Sequence, residues 1–257
     1  MRVYTVSDLE TERGDTGFMI LLYGRTGVGK SVSTIQTADP PILYVCCESR
    51  DPRKFLKEAA RPDLDIDFVF YDNFEDMMEF FADMKNFERY KTIIIDSITF
   101  LSLGVGKEIE DEGYSALDKK KGIDKPLTMQ GKQSMEGFGA LANQMLRFTR
   151  VTGTLTQYGK DVVLIALLEE NPSYKREFNA APLLDGKKYG KNLPGFCDMI
   201  GMVETRTDEE GVVQYPPRVF FDGDEWFMHK KYGNITSGTL NLSKILAKAR
   251  QENNKGE

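Results

Sequence analysis

Histidine is nearly missing from this sequence: His229 stands alone among 257 residues. A multi-histidine metal centre is thereby excluded, and a Ser–His–Asp relay has no second histidine to draw on. Cysteine is almost as scarce. Cys46, Cys47 and Cys197 are too few for a disulfide framework, and sequence neighbours rarely bridge each other, so reduced, buried thiols are expected. No apolar stretch nears the ~20 residues of a membrane-spanning helix. The longest are Phe18–Tyr23 and Val162–Leu168. Residues 1–17 carry Asp8, Glu10, Glu12 and Asp15 rather than the basic-then-apolar layout of a secretion signal. The expected location is the cytoplasm, with no membrane contact. Positive charge is not in excess either, since 34 Lys and Arg face 40 Asp and Glu for a net charge of −6. This argues against a surface built throughout to hold polyanions and leaves a local basic groove open.

What the chain does have is an ordinary globular balance, 40% hydrophobic and 29% charged, with enough length to bury a large core. Phe18–Tyr23, Ile42–Cys47, Phe68–Tyr71, Thr92–Ile95 and Val162–Leu168 are continuously apolar. That is the pattern of strands covered on both faces rather than one. Between them Lys30–Ala38, Pro52–Ala60 and Phe74–Phe87 have helical spacing, and Met77, Met78, Phe80, Phe81 and Met84 form a core stripe. Strand–helix alternation predicts an α/β fold with a mostly parallel sheet flanked by helices.

Two stretches break the rhythm. Gly113–Gln133, with Lys119, Lys120, Lys121, Lys125 and Pro126, reads as a long loop before a helix over Met135–Thr152. Glu169–Leu193 contains Pro172, Pro182, Gly186 and Gly190 and reads as a second long loop. It carries Lys175, Arg176, Lys187, Lys188 and Lys191, interleaved with Tyr174, Phe178 and Tyr189. Cations alternating with flat side chains suit single-stranded nucleic acid, although mobile loops are also basic for solubility alone. Farther on, Met199–Arg206, Arg218–Phe221 and Trp226–Lys230 read as short antiparallel strands joined by turns. No repeat or linker divides the chain, so one domain over 1–257 is expected.

The most specific signal is Gly24-Arg25-Thr26-Gly27-Val28-Gly29-Lys30-Ser31, followed by Val32. It follows an apolar strand directly and opens a helix. Glycines allow the tight turn that aims successive N–H groups at phosphate oxygens, and the helix N-terminus adds its dipole. Lys30 would reach the β- and γ-phosphates of ATP, and the Ser31 hydroxyl would hold Mg²⁺. Asp96 ends the buried strand that starts at Thr92, so its carboxylate falls at the sheet edge where such a metal sits. Glu48 closes the strand Ile42–Cys47. If that strand lies beside the Asp96 strand, Glu48 faces the γ-phosphate and can take a proton from water. The bland reading is a solvated glutamate or a partner for Arg50 or Arg53. Glu169 and Glu170 are a weaker choice.

These residues resemble the RecA-type ATPase core: GRTGVGKS, the strand ILYVCCES ending at Glu48, and TIIIDSIT with Asp96. Pro182–Lys187 and Asn192–Asp198, the latter holding Leu193-Pro194-Gly195 ahead of Asp198, are similar to the phage RecA-like proteins of the Sak single-strand annealing group. The resemblance spans about residues 17–232, leaving 233–257 as a C-terminal extension and tail. It implies a RecA-like P-loop NTPase core with a C-terminal antiparallel β-hairpin extension. It also implies a homo-oligomer, single-stranded DNA and a single-strand-binding protein as partners, and the host cytoplasm as location. Glu48 becomes the water-activating residue. Lys175–Lys191 takes the place of the second DNA loop and Gly113–Gln133 that of the first. Lys230 and Lys231 fall where relatives carry cations that reach a neighbouring subunit's γ-phosphate.

Two departures stand out. Relatives place Gln or His at the end of the strand equivalent to Val162–Leu168, where this chain has Leu167 and Leu168. Only about sixteen residues precede the first strand, which favours a ring or short oligomer over a continuous filament. The expected activity is ATP hydrolysis acting on single-stranded DNA in recombination, annealing or repair. The alternatives are a P-loop small-molecule kinase and a nucleotide-gated assembly module with negligible hydrolysis.

Overall fold

The computed structural model describes residues 16–112, 128–129, 132–172, 178–223 and 225–253. Five apolar runs form the predicted strands: β1 (Met19–Gly24), β2 (Ile42–Cys46), β3 (Ile66–Phe70), β4 (Thr92–Asp96) and β7 (Asp161–Glu170). The short pair β5 (Thr128–Met129) and β6 (Lys132–Gln133) stands apart. The large sheet runs β11-β10-β9-β1-β7-β4-β2-β3, with β9 at Met199–Thr207, β10 at Val213–Phe220 and β11 at Gly238–Thr239. Every pairing from β9 to β3 is parallel.

Period-two alternation explains why those strands are apolar throughout. Met19, Leu21, Tyr23, Ile93, Ile95, Val162 and Leu164 enter one core, packed by α3 (Phe74–Ala82), α4 (Ile98–Glu112) and α5 (Met135–Thr156). Ile20, Leu22, Tyr44, Ile94, Val163 and Ile165 enter the other, packed by α1 (Lys30–Thr37), α2 (Arg53–Ala59) and α7 (Leu242–Asn253). Met77, Met78 and Phe81 of α3 are buried as the stripe predicts. That helix starts where Asn73 Oδ1 accepts from the Asp76 amide at 2.9 Å, with Glu75 and Asp76 in its first turn.

Several expectations need correction. Met199–Thr207 is antiparallel to β10 on one side; on its other side it runs parallel to β1. Asp198 fixes that neighbour relation, because its carboxylate accepts from the Met19 amide and its own amide donates to the Met19 carbonyl, both at 2.8 Å. Trp226–Lys230 is not a strand and makes only isolated bridges, Phe227 with Ala180 and Lys230 with Ile200. The Glu169–Leu193 stretch is more ordered than a loop: β7 runs on to Glu170, β8 (Ala180–Pro182) folds back on it, and α6 spans Lys187–Asn192. The segment after residue 232 is fastened to the core. The Leu242 amide donates to Thr37 Oγ1 at 2.9 Å, Ser243 Oγ donates to Asp39 at 2.6 Å, and Arg250 pairs with buried Asp161 at 2.5 Å. Helix α7 continues to Asn253. Cys46, Cys47 and Cys197 are free thiols. No helix among the described residues is long and apolar enough to cross a membrane.

Candidate nucleotide-binding site

Strand β1 ends at Gly24 and α1 begins at Lys30, so the predicted loop crosses the C-terminal edge of the sheet, where strand ends leave backbone groups open to a ligand. Three glycines are dictated by geometry. Gly27 and Gly29 hold φ of +81° and +89°, a region that side chains rarely enter. At Gly24 an added Cβ would lie 2.3 Å from the Val203 carbonyl oxygen of β9, so only hydrogen fits. Lys30 is buried, 7% exposed, and donates to the Gly24 and Arg25 carbonyls at 2.8 Å each. Burial pulls its ammonium down to about 8, against the opposing pull of Asp96 and Glu48.

Ser31 Oγ donates to Asp96 Oδ2, and the Tyr44 hydroxyl donates to the same oxygen. Asp96 is 6% exposed, and burial pushes its carboxyl up despite both hydrogen bonds and Lys30. Strand β2 does lie beside β4, with Cys46 opposite Asp96, which brings Glu48 to the same edge. Burial, then the Asp96 charge, raises the Glu48 carboxyl above the usual carboxylate value. A half-buried carboxylate raised toward neutrality is suited to accept a proton.

These groups share one cleft of about 520 Å³. Thr26, Gly27, Gly29, Lys30, Ser31, Val32, Glu48 and Asp96 line it, whereas Gly24, Arg25 and Val28 do not. Val28 is buried under the loop, and Arg25 turns outward to Glu170 at 2.7 Å. Glu170 is thereby engaged in that pair, and Glu169 does not line the cleft. Leu167 of β7 lies level with Gly24 and lines the cleft with an apolar side chain.

The remaining predicted residues lie elsewhere. Lys230 donates to the Pro194 carbonyl at 3.3 Å and to that of Cys197, and Lys231 lies 4.0 Å from Asp222. Neither lines the cleft. Lys187, Lys188 and Lys191 are exposed on α6, with Lys188 donating to Asn143 at 3.1 Å. Tyr189 between them is fully buried and points into the core, which corrects its expected use as a stacking surface. Lys175, Arg176 and Tyr174 lie outside the described residues, as does the lysine run at 119–121.

Sequence reasoning missed Tyr44, Phe55, Phe100 and Tyr215. The first anchors Asp96 and the others line the cleft. Tyr44 sits in an apolar strand whose period gives no hint of a ligand. Tyr215 comes from β10, where the register shifts between Gln214 and Arg218, and its ring would be 2.8 Å from a Cβ on Gly29. Only the pairing of β9 and β10 brings it there.

A family profile described as an AAA domain matches residues 16–250. The chain belongs to the AAA-domain family. Among solved structures, a KaiC-like protein from the hyperthermophilic archaeon Pyrococcus horikoshii OT3 is similar with a TM-score of 0.44 and 15% identity, over 80% of this chain and 78% of that one. No curated protein matches it. The donor set of this AAA domain fits a nucleotide with Mg²⁺: a glycine cradle, a buried ammonium, and a hydroxyl beside a buried carboxylate. Among the described residues no cluster of three or more His, Cys, Asp or Glu is placed to hold a metal unaided.

Proposed function

We propose that this AAA domain binds ATP with Mg²⁺ in the cleft and hydrolyses it to ADP and phosphate. The observation that carries the reading is the convergence of Lys30, Ser31 and Asp96 at one end of a cleft whose lining also includes Glu48. Lys30 exchanges its two carbonyl partners for β- and γ-phosphate oxygens, and loop amides bind the same phosphates. Ser31 and Asp96 hold Mg²⁺, which when bound neutralises charge across the phosphates. Glu48 orients water and takes its proton as the water oxygen bonds to the γ-phosphorus. The bond from that phosphorus to the ADP oxygen breaks, and ADP leaves with the electron pair.

The finer reading takes single-stranded DNA as effector and a homo-oligomer as the working form. Exposed Lys187, Lys188 and Lys191 on one short helix support it as a cationic surface for phosphates. A single-strand-binding protein would be the accessory partner. A second reading has one observation in its favour. From Glu48 a hollow of about 550 Å³ continues past Arg50 and Pro52 to Phe68, Phe70 and Tyr71, room for an acceptor in a phosphoryl transfer.

Phosphate release with and without single-stranded DNA tests the proposal. Free phosphate that disappears in Glu48→Gln, while ATP binding persists, is the expected result. A phosphorylated small molecule would favour the kinase reading, and bound ATP with no turnover would favour a nucleotide-gated module.

A further inference from the structure

Phe70 ends β3, the edge strand of the large sheet, and its ring is 60% exposed. Period-two alternation puts Phe68 on the same face of that strand. Both rings line the hollow of about 550 Å³ that continues from Glu48, together with Leu56 and Tyr71. The floor is fixed from behind. Phe68 packs on Tyr44 with ring centroids 5.5 Å apart, and Tyr44 packs on Phe55 at 5.9 Å. The Tyr71 hydroxyl donates to Glu108 of α4, which holds that ring in the wall. A single exposed apolar side chain is ordinary on a protein surface. Aromatic rings gathered around one concavity of this size are the usual lining of a ligand site.

The polar groups of the hollow narrow the chemistry. Asp51 is engaged with Arg53, which binds both of its carboxylate oxygens. Glu48 stands at the junction with the nucleotide cleft, where it faces the phosphates in the reading above. Arg50 is different. It is exposed, lines the hollow, and makes no ion pair with any described residue. Its guanidinium lies over the Phe55 ring, 5.7 Å from the centroid, a contact that orients the cation without neutralising it. The hollow therefore offers flat apolar surface and one cation free to hold an anion.

We propose that this hollow is a second ligand site, which takes a planar aromatic anion of the size of a nucleoside monophosphate while ATP occupies the neighbouring cleft. The aromatic group stacks on Phe70 and Phe68, and the anionic group binds the planar fork of Arg50. The proposal deepens the second reading above by naming the chemistry of what the hollow holds. Because the floor is built from packed rings, little ordering opposes binding.

The test uses the full chain saturated with a non-hydrolysable ATP analogue and Mg²⁺, so that the cleft is filled. AMP is titrated by calorimetry, with adenosine and ribose 5-phosphate as probes that carry only one of its two features. AMP should bind once per chain, and each partial probe at least about tenfold more weakly. Phe70→Ala should weaken AMP about tenfold and leave affinity for the analogue within twofold of the parent, which also checks the fold. Arg50→Ala should reduce AMP to the affinity of adenosine. No binding of AMP to the saturated parent, or equal AMP affinity in the parent and Phe70→Ala, overturns the proposal. If the analogue does not bind, the nucleotide reading fails, and dependence of AMP affinity on Phe70 still decides the hollow. ADP formed from AMP and hydrolysable ATP is measured separately. Its absence, with Phe70-dependent binding intact, removes the kinase reading and leaves the second site supported.

Discussion

At Asp96, itself 6% exposed, one carboxylate oxygen accepts from two hydroxyls, Ser31 and Tyr44. A charge-assisted hydrogen bond of this kind contributes about 1.5–3 kcal/mol. Tyr44→Phe keeps the ring packed against Phe55 and Phe68 and removes only the donor. It should therefore destabilise the protein by about that amount, read from urea unfolding at unchanged m-value. An unaltered midpoint would show that Asp96 does not need the second donor. Gly29 tests the loop in a different way. Gly29→Ala meets both the Tyr215 ring and a left-handed backbone, the latter costing about 1–2 kcal/mol. Adding Tyr215→Ala clears the ring and leaves the backbone cost, so the double variant should regain only part of the lost melting temperature. Full recovery would mean that the glycine is required for space alone. Gly24→Ala has no such escape, because its obstacle is the Val203 carbonyl of the backbone itself.

Helix α7 shows how an element far from the loop in sequence becomes part of its support. It grips the C-terminal end of α1 through Thr37 and Asp39, and Arg250 reaches buried Asp161. Burial alone would push the Asp39 carboxyl up. Hydrogen bonds from Lys91 and Ser243, with the Lys91 and Arg250 charges, outweigh it and hold the group below its usual value. A carboxyl depressed in the folded state contributes stability above the ordinary aspartate value of about 3.9 and loses it as pH falls below that. Amides of α7 should open before those of β1 and β4 when the pH is lowered from 6 to 3, measured by hydrogen exchange corrected for intrinsic rates. Asp39→Asn should weaken that pH dependence. Identical protection of α7 and the central strands across this range would contradict the account. None of this is visible in the sequence, where Leu242–Asn253 is an amphipathic stretch with no sign of the surface it covers.

At the scale of the molecule, what could be read in advance was whatever depends on neighbours along the chain. Continuous apolar runs announced strands covered on both faces, and the glycine loop announced its own conformation. Asp96 could be placed at a strand end because its apolar run stops there, and Glu48 falls two residues past the end of β2. What depends on distant pairing could not be read. Strand β7, from Asp161 onward, inserts between β1 and β4 and brings Leu167 level with Gly24. The β9–β10 pairing delivers Tyr215 over Gly29, and α6 turns an apparent basic loop into a helix whose aromatic residue is buried. Arg50 and Arg53 look alike in sequence; Asp51 claims one and leaves the other facing the cleft. The central claim is that a triphosphate with Mg²⁺ sits in the loop between Gly24 and Ser31 and is held there by Lys30. Calorimetric titration with a non-hydrolysable ATP analogue and Mg²⁺, on the parent and on Lys30→Ala, tests it most directly. The account predicts one site per chain in the parent and no measurable binding in Lys30→Ala. Equal affinity in the two, or none in the parent, would contradict it.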